Sequence, residues 1–204
     1  MCGILLSLDP EGAKNFWKLQ HRGPDSSILR RISYYNFQVF LGFHRLSIIG
    51  VKNGEQPFFT DDVYLMCNGE IYNHKKLKEK YNLWTRTESD CEVLLAMYLK
   101  DSRSTRNFGS IRGEFAFVLF DLKLGLVIYG RDMCGVRPLF ISLYGFSLAS
   151  ELKGLSDVGV QVAPGKIHTY DIFKKMKNVQ EISYPIELYK PLSITLEEAV
   201  KRRL

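Results

Sequence analysis

The segment Gly113–Asp121 reads GEFAFVLFD and is apolar at nearly every position. Such an uninterrupted run predicts a strand, Glu114–Asp121, that is covered on both faces of its sheet. Because the predicted helices do not alternate strictly with strands, we expect an α+β fold with antiparallel pairing and both sheet faces covered. Six further short runs, rich in β-branched and aromatic residues, predict strands: Gly3–Leu8, Phe37–Phe43, Val63–Cys67, Leu126–Gly130, Leu139–Tyr144 and Lys166–Tyr170.

Three helices are predicted among these strands. Asp9-Pro10 is a typical helix start and precedes a helix over Glu11–Gln20. The sequence Ser89-Asp90-Cys91-Glu92 has the form of a capping box and predicts a helix over Ser89–Lys100. A third helix, mostly charged, is predicted over Asn73–Tyr81.

The last twenty or so residues differ in character from the rest of the chain. Pro185 and Pro191 flank a stretch typical of a linker. A second capping box, Thr195-Leu196-Glu197-Glu198, then predicts a helix over Thr195–Leu204 with an apolar face. We therefore expect one domain over residues 1–184, then a linker and the start of a helix, 185–204, that leads to a domain absent from this chain.

Charge and hydropathy restrict the class of partner. The chain carries 28 Lys+Arg against 22 Asp+Glu, a net charge of +6, which leaves nucleic acid open as a partner. The basic residues are scattered, with small clusters at 174–177 and 201–203 and no nucleic-acid motif, so we expect a solvated face and no nucleic-acid partner.

The longest stretches without a charged residue, Ile32–His44 and Pro138–Ser150, are shorter than the about 20 residues of a membrane span. The start also lacks the basic residues of a signal peptide, so we expect a cytoplasmic protein and no membrane partner.

The four cysteines give no metal-binding pattern. They are too dispersed for a C-x-x-C motif, and the four histidines form no H-E-x-x-H pair, so we expect no metal site. Cys67, Cys91 and Cys134 are interpreted as small buried apolar residues. Cys2 is different because it follows the initiator methionine.

Removal of Met1 would leave Cys2 with a thiol and a free α-amine on one residue. Their reference pKa values, ~8.5 and ~7.7–8.0, make the amine a plausible base for the thiol near neutral pH. The alternative is an incidental cysteine in a first strand. Asn68-Gly69 follows a predicted strand and could supply two donors to one oxyanion, because glycine lets the backbone approach closely. An ordinary Asn-Gly turn is the alternative for that pair.

Several motifs occur in order along the chain: MCGI at 1–4, HRGPD at 21–25, FHRLSI at 43–48, NGEIYNH at 68–74, Ser89-Asp90, GRD at 130–132 and GVRPL at 135–139. Together they resemble the glutaminase domain of glutamine-hydrolysing asparagine synthetase, a class II, N-terminal-nucleophile (Ntn) glutamine amidotransferase. The resemblance is strong to about residue 155. It implies a four-layer α/β/β/α sandwich of two antiparallel sheets, of the Ntn-hydrolase type.

The resemblance also implies roles for individual residues. Cys2 resembles the nucleophile that forms a thioester, and its α-amine the general base. The Asn68 side chain and the Gly69 N–H resemble the oxyanion hole. Arg45 is similar to the residue that binds the substrate α-carboxylate, and Asp90, assisted by Glu70, to the partner of the α-ammonium. The residues after Arg45 complete the implied glutamine site: Leu46, Ser47, Ile48 and Ile49.

For two of these residues a purely structural role stays open as the alternative. Arg45 could form a surface ion pair, and Asp90 could be a first-turn acid that the helix dipole favours. For the remaining motif residues we favour a structural role over a direct role in the reaction. His21, Arg22 and Asp25 are expected to shape a loop beside the site, and Arg131 and Asp132 are expected to form an ion pair.

The function implied is hydrolysis of L-glutamine to glutamate and ammonia, with the ammonia supplied to asparagine synthesis from aspartate. The chain contains no Gly-Gly, so it lacks the pyrophosphate-binding loop of the synthetase half. ATP and magnesium are therefore expected only in that absent domain, and no cofactor in this chain. A synthetase domain or separate partner chain is expected, and a homodimer remains open. The alternative function is a catalytically silent, amidotransferase-like module that contacts a partner protein.

Overall fold

A computed structural model describes residues 1–182, 192–201 and 203, with the side chain of Leu192 left aside. The described residues form two six-stranded antiparallel sheets. Sheet A has the order β10-β8-β9-β1-β3-β2 and is built from β1 (Gly3–Ser7), β2 (Ser26–Tyr34), β3 (Phe37–Arg45), β8 (Phe140–Ser142), β9 (Ser147–Ala149) and β10 (Gly159–Gln161). Sheet B has the order β12-β11-β7-β6-β5-β4 and is built from β4 (Phe58–Phe59), β5 (Val63–Ile71), β6 (Gly113–Asp121), β7 (Leu126–Arg131), β11 (Lys166–Asp171) and β12 (Met176–Glu181).

Helices pack on the outer face of each sheet. The α-helices are α1 (Pro10–Lys14), α2 (His74–Tyr81), α3 (Val93–Lys100) and α4 (Leu192–Lys201). Short 3₁₀ helices cover Asn15–Arg22, Asp90–Glu92, Arg106–Ser110 and Leu152–Gly154. Among the described residues, none of these helices is long and apolar enough to cross a membrane.

Three apolar clusters define the layers. The largest lies between the two sheets and contains Leu41 of β3 and Val118 of β6. A second packs α3, through Leu94 and Tyr98, against the outer face of sheet B. A third packs the 3₁₀ helix after α1 against the outer face of sheet A. The order is therefore helix, sheet, sheet, helix, which confirms the predicted four-layer α+β sandwich.

Strand β6 shows why its sequence is continuously apolar. Phe115, Phe117 and Leu119 point into the cluster under α3. Val118 and Phe120 point into the cluster between the sheets. Both faces are buried, as predicted, because β6 lies in the interior of sheet B.

All seven predicted strands are present, but five strands were missed: β2, β4, β9, β10 and β12. Strands β9 and β10 have three residues each and β4 has two, too few for a clear periodic pattern. Strands β2 and β12 lie at sheet edges and carry mostly polar side chains, so no apolar run marks them.

The helix predictions need three corrections. Asp9 caps α1 as expected, accepting from Glu11 N–H at 3.0 Å, but the helix continues from Asn15 as a 3₁₀ helix rather than one α-helix to Gln20. The capping box at Ser89 was wrong: Ser89 makes no side-chain cap, and Glu92 instead accepts from the backbone of Thr87 at 2.7 Å. The second capping box was wrong too, since α4 begins at Leu192 and Thr195 lies inside it.

The end of the chain is only partly described. The linker predicted between Pro185 and Pro191, the domain boundary at 184 and the last helical residue Leu204 lie outside the described residues.

Two further expectations were wrong. Cys134 is exposed rather than buried, because it lies in the turn after β7, where Asp132 accepts its N–H at 3.0 Å. Arg131 and Asp132 form no ion pair with each other. The Arg131 guanidinium donates to backbone carbonyls, including that of Val162 at 2.9 Å, and the Asp132 carboxylate accepts backbone N–H groups, including that of Phe115 at 3.1 Å.

Candidate active site

Cys2 lies just before β1 and is positioned by the pairing of β1 with β3. Gly3 is opposite His44, so Cys2 meets the chain as it leaves β3. The Leu46 N–H donates to Cys2 Sγ at 3.3 Å, and the Leu46 carbonyl lies 3.5 Å from the same sulfur. The thiol is thereby held between the two backbone groups of one residue.

Opposing influences act on the Cys2 thiol. Burial raises its pKa, whereas the Leu46 N–H and the positive charge of the chain's amino terminus lower it. The net direction is upward, so a neighbouring base is needed to form the thiolate. The nitrogen of Cys2 itself is the nearest candidate, once the preceding peptide bond is cut.

Asn68 joins the two sheets at this point. It lies near the end of β5, and its Oδ1 accepts from the Cys2 nitrogen at 3.0 Å. The amide group is buried, and Nδ2 has no hydrogen-bond partner within the described part of the chain. A buried donor without a partner is costly, so its presence indicates an acceptor that arrives with a ligand.

Gly69 follows Asn68 in a conformation that only glycine adopts readily. Its φ is +155°, and a Cβ at this position would lie 2.0 Å from the Glu114 carbonyl oxygen. The close pairing of β5 with β6 therefore requires glycine here. The sequence suggested glycine for close approach to a ligand, and the structure adds close approach to the neighbouring strand.

Two buried residues of opposite charge lie on the same cavity. The Arg45 guanidinium donates to the Gly50 carbonyl at 2.6 Å and to the Val51 carbonyl at 3.3 Å, which holds the loop after β3. Asp90 accepts from the Ile71 N–H through Oδ2, and burial raises the pKa of its carboxyl. Neither residue is a surface group: Arg45 is 7% and Asp90 is 3% exposed.

These residues line one cavity of about 120 Å³. The structure brings together nine of the ten residues predicted for the site: Cys2, Arg45, Leu46, Ile48, Ile49, Asn68, Gly69, Glu70 and Asp90. Ser47 is the exception, because it is absent from the lining and its N–H donates to Asp25 Oδ2 at 2.7 Å.

Sequence reasoning missed several lining residues: Gly54, Gln56, Cys67, Ser89, Cys91 and Arg137. Gln56 ties the loop after β3 to β5, accepting the Cys67 N–H at 2.7 Å and donating to its carbonyl at 3.0 Å. Arg137 lies 3.9 Å from Glu70 and 3.6 Å from Glu114, and its buried Nε has no partner within the described residues. The GVRPL motif contained Arg137, but nothing in it indicated a position on the cavity.

Two of the three expected loop residues contact residues of the predicted site: Arg22 contacts Cys2, and Asp25 contacts Ser47, whereas His21 contacts Glu151 at 3.0 Å. Arg22 Nε donates to the Cys2 carbonyl at 2.9 Å, and its guanidinium pairs with Glu151 at 2.8 Å. Burial raises the pKa of Glu151, but hydrogen bonds from Arg22, Lys153 and His21 outweigh it and lower that pKa to about 2. Glu151 is therefore ionised at neutral pH and fixes the Arg22 side chain. Arg22 in turn fixes the backbone of Cys2.

The arrangement has three chemical capabilities. The Cys2 thiol lies on the cavity beside an amide donor that has no partner among the described residues. An arginine and an aspartate on the same cavity suit a ligand that carries both a carboxylate and an ammonium group. Among the described residues, no group of His, Cys, Asp and Glu could hold a metal ion.

Comparisons place the chain in a family. A family model described as a glutamine amidotransferase domain matches residues 1–196, and the chain belongs to this family. It is 35% identical over 244 residues to a probable asparagine synthetase (glutamine-hydrolyzing) of Schizosaccharomyces pombe, an alignment that covers 100% of this chain and 41% of that protein. It is likewise 35% identical over 229 residues to asparagine synthetase (glutamine-hydrolyzing) 1 of Arabidopsis thaliana, covering 100% of this chain and 38% of that one. The chain thus spans about two fifths of the length of these relatives.

Solved structures share the fold at low identity. The glutamine phosphoribosylpyrophosphate amidotransferase from B. subtilis superposes with a TM-score of 0.71 at 17% identity, over 91% of this chain and 50% of that chain. A second structure, that of an allosteric regulatory enzyme of purine biosynthesis, gives a TM-score of 0.70 at 16% identity, over 91% of this chain and 50% of that chain. These likenesses confirm the Ntn-hydrolase type of sandwich.

Proposed function

We propose that this chain binds L-glutamine and hydrolyses its side-chain amide to glutamate and ammonia, with Cys2 as the nucleophile. The observation that carries the proposal is the buried Nδ2 of Asn68, which lacks a partner among the described residues and belongs to the residue that contacts the Cys2 nitrogen. A carbonyl oxygen that becomes negative during attack by Cys2 would satisfy this donor.

The first half of the reaction forms a thioester. Once Met1 is removed, the α-amine of Cys2 takes the thiol proton, and the sulfur attacks the amide carbon of glutamine. The carbonyl oxygen becomes an oxyanion, for which Asn68 Nδ2 and the Gly69 N–H are the donors. When the intermediate collapses, the C–N bond breaks and the α-ammonium returns the proton to the leaving nitrogen, which departs as ammonia.

The second half returns the enzyme to its starting state. The α-amine takes a proton from a water molecule, whose oxygen attacks the thioester carbon. The same two donors face the oxyanion that forms. The C–S bond then breaks, glutamate leaves, and the sulfur recovers its proton. The reaction consumes one water and needs no cofactor from this chain.

In the proposed function, Arg45 and Asp90 make the site specific for glutamine. Glutamine carries a carboxylate and an ammonium at one end and a neutral amide at the other. An arginine suits the carboxylate because it offers several donors in one plane, and an aspartate with Glu70 suits the ammonium. Binding of both charged groups fixes the distance between the substrate's side-chain amide and Cys2. The side chain of asparagine is shorter, so its amide would not reach Cys2.

We propose further that the ammonia serves asparagine formation from aspartate in a synthetase domain. Support comes from the relatives, which are named as asparagine synthetases and are more than twice as long as this chain. ATP and magnesium would be bound by that domain. We also propose a cytoplasmic location, in keeping with a biosynthetic role.

Intact mass before and after incubation with a diazo-ketone analogue of glutamine tests the site. We expect the mass of the chain without Met1, followed by one stoichiometric adduct on Cys2. A Cys2→Ser variant should take no adduct, whereas Cys134→Ser, which alters an exposed cysteine outside the cavity, should label fully. Retained Met1, or a free Cys2 that takes no adduct, would contradict the proposal and favour the silent binding module.

Replacing Arg45 tests the carboxylate clamp. Because a charge-assisted hydrogen bond contributes about 1.5–3 kcal/mol, Arg45→Ala should raise the KM for glutamine by roughly tenfold to a hundredfold. Arg45→Lys keeps the charge but loses the planar fork, so its KM should lie between those of the wild type and Arg45→Ala. Initial rates against glutamine concentration provide the measurement, with melting temperature as a check on the loop that Arg45 also holds. An unchanged KM in Arg45→Ala would rule out the clamp.

A further inference from the structure

Strand β12 presents an open edge of sheet B. Within the described residues it is hydrogen-bonded on one side only, to β11, and all six of its residues are exposed. Backbone groups in an antiparallel strand alternate in direction. The Ile182 N–H donates to the Gly165 carbonyl at 3.1 Å, so the even-numbered residues face β11. Lys177, Val179 and Glu181 therefore direct their backbone groups away from the sheet.

The contact made by Val179 agrees with this alternation. Its N–H donates at 2.8 Å to the side-chain oxygen of the adjacent Asn178, rather than to β11. Both residues are exposed, so the asparagine amide is free to move aside when another strand approaches. The edge thus has a donor and an acceptor ready at every second residue.

The sequence of β12 is complementary to itself in antiparallel orientation. With Val179 opposite its own copy, Lys177 lies opposite Glu181 of the second copy and Glu181 opposite Lys177 of the second copy. Asn178 then faces Gln180, and both can hydrogen-bond through their side-chain amides. Registers centred on Lys177 or on Glu181 would instead oppose like charges, which is unfavourable across strands.

We propose that β12 pairs antiparallel with β12 of a second copy of this chain, about a two-fold axis at Val179. Each opposed pair of outward-facing residues exchanges both of its N–H···O hydrogen bonds in such a ladder. Sheet B thereby continues into the sheet B of the second copy. The exposed apolar side chains of Met176 and Val179, 62% and 49% exposed, come to lie beside the new strand.

The charge on Lys177 decides which strands can pair here. A lysine on an edge strand usually prevents pairing with other chains. In the two-fold register it meets an acid, so it selects β12 itself and disfavours strands without an acid at that position. Glu181 also lies 3.4 Å from Lys166 of its own chain, but this pair is exposed and can be shared.

A single pair of strands buries less surface than the roughly 1,600 Å² of a standard interface, so the dimer is weak and depends on concentration. Sedimentation velocity of the intact chain from about 5 to about 500 µM should show conversion from monomer to dimer. Val179→Pro removes an outward N–H and leaves the bonds to β11 in place, so it should abolish dimerisation. Val179→Thr keeps the N–H and should dimerise like the wild type. A wild type that stays monomeric throughout, or a Val179→Pro variant that dimerises normally, overturns the proposal.

Charge reversal gives a test that does not depend on how proline is tolerated. Lys177→Glu and Glu181→Lys should each weaken the dimer by about fivefold or more, because each opposes like charges in the two-fold register. The double variant should recover most of the wild-type affinity. Failure of the double variant to recover, with all three proteins folded, would exclude this register. Since β12 contributes no residue to the cavity, glutamine hydrolysis should be unchanged in every variant.

Discussion

Replacing Cys2 with alanine should reduce ammonia release from glutamine to the uncatalysed background, a loss on the order of 10³-fold or more. The reason is that no thioester can form without the sulfur. Alanine is small, so removal of Met1 and the β1–β3 pairing that places this residue are both retained. Release of ammonia and glutamate, each measured enzymatically, gives the result.

Neither of the other cysteines on the cavity can replace Cys2. Cys67 and Cys91 are almost fully buried, at 1% and 3% exposure. Contact with Cys67 and burial raise the pKa of the Cys91 thiol well above its usual value, so it stays protonated. Thiolate is the reactive form, and Cys91 therefore offers no nucleophile.

Two controls accompany this prediction. Cys134→Ala should keep full activity, because Cys134 is exposed and lies outside the cavity. The melting temperature of Cys2→Ala should stay close to that of the wild type, since the substitution removes one sulfur atom that makes weak contacts to Leu46 at the margin of the core between the sheets. Substantial activity in a folded Cys2→Ala protein would be incompatible with the mechanism.

The interior of the fold could be predicted from sequence because burial leaves a local pattern. Strand β6 is apolar at consecutive positions since both of its faces are covered, and β3 and β7 are marked in the same way. Edge strand β12 has no such mark, because the sequence MKNVQE resembles any exposed segment. Its place in sheet B depends on pairing with β11 and not on its own composition.

Helix starts were predicted less well, because capping residues have competing partners. Glu92 has the spacing of a capping box with Ser89, yet its carboxylate accepts from the backbone of Arg86 and Thr87. Those partners are supplied by the preceding loop, whose course the local pattern does not specify. Asp9 had no such competitor and caps α1 as predicted.

The sequence indicated the site residues individually, but it is the fold that brings them together on one cavity. Cys2 and Asn68 are 66 positions apart and meet because β1 and β5 lie in facing sheets. Gln56 and Arg137 reach the same cavity through loops. Neither has a chemical role that its neighbours in sequence would reveal, so only the structure places them there.

Replacing Asn68 with aspartate should lower kcat by about 10²–10³-fold, equivalent to about 2.7–4 kcal/mol of transition-state stabilisation. Aspartate has almost the same size and keeps an oxygen to accept from the Cys2 nitrogen, which now lies 3.0 Å from Oδ1. Nδ2, for which the described part of the chain offers no partner, is exchanged for a second oxygen. A donor is thus replaced by an acceptor where negative charge is expected to develop.

The division between kcat and KM separates this role from a structural one. The Asn68 donor acts on the oxyanion and not on the charged end of glutamine, so KM should change far less than kcat. Asn68→Ala removes both the donor and the contact to the Cys2 nitrogen, and its kcat should fall as well. If Asn68→Asp instead left kcat unchanged, or raised KM alone, the unpaired Nδ2 would have to serve substrate binding, and the oxyanion would depend on the Gly69 N–H and on another donor such as Arg137.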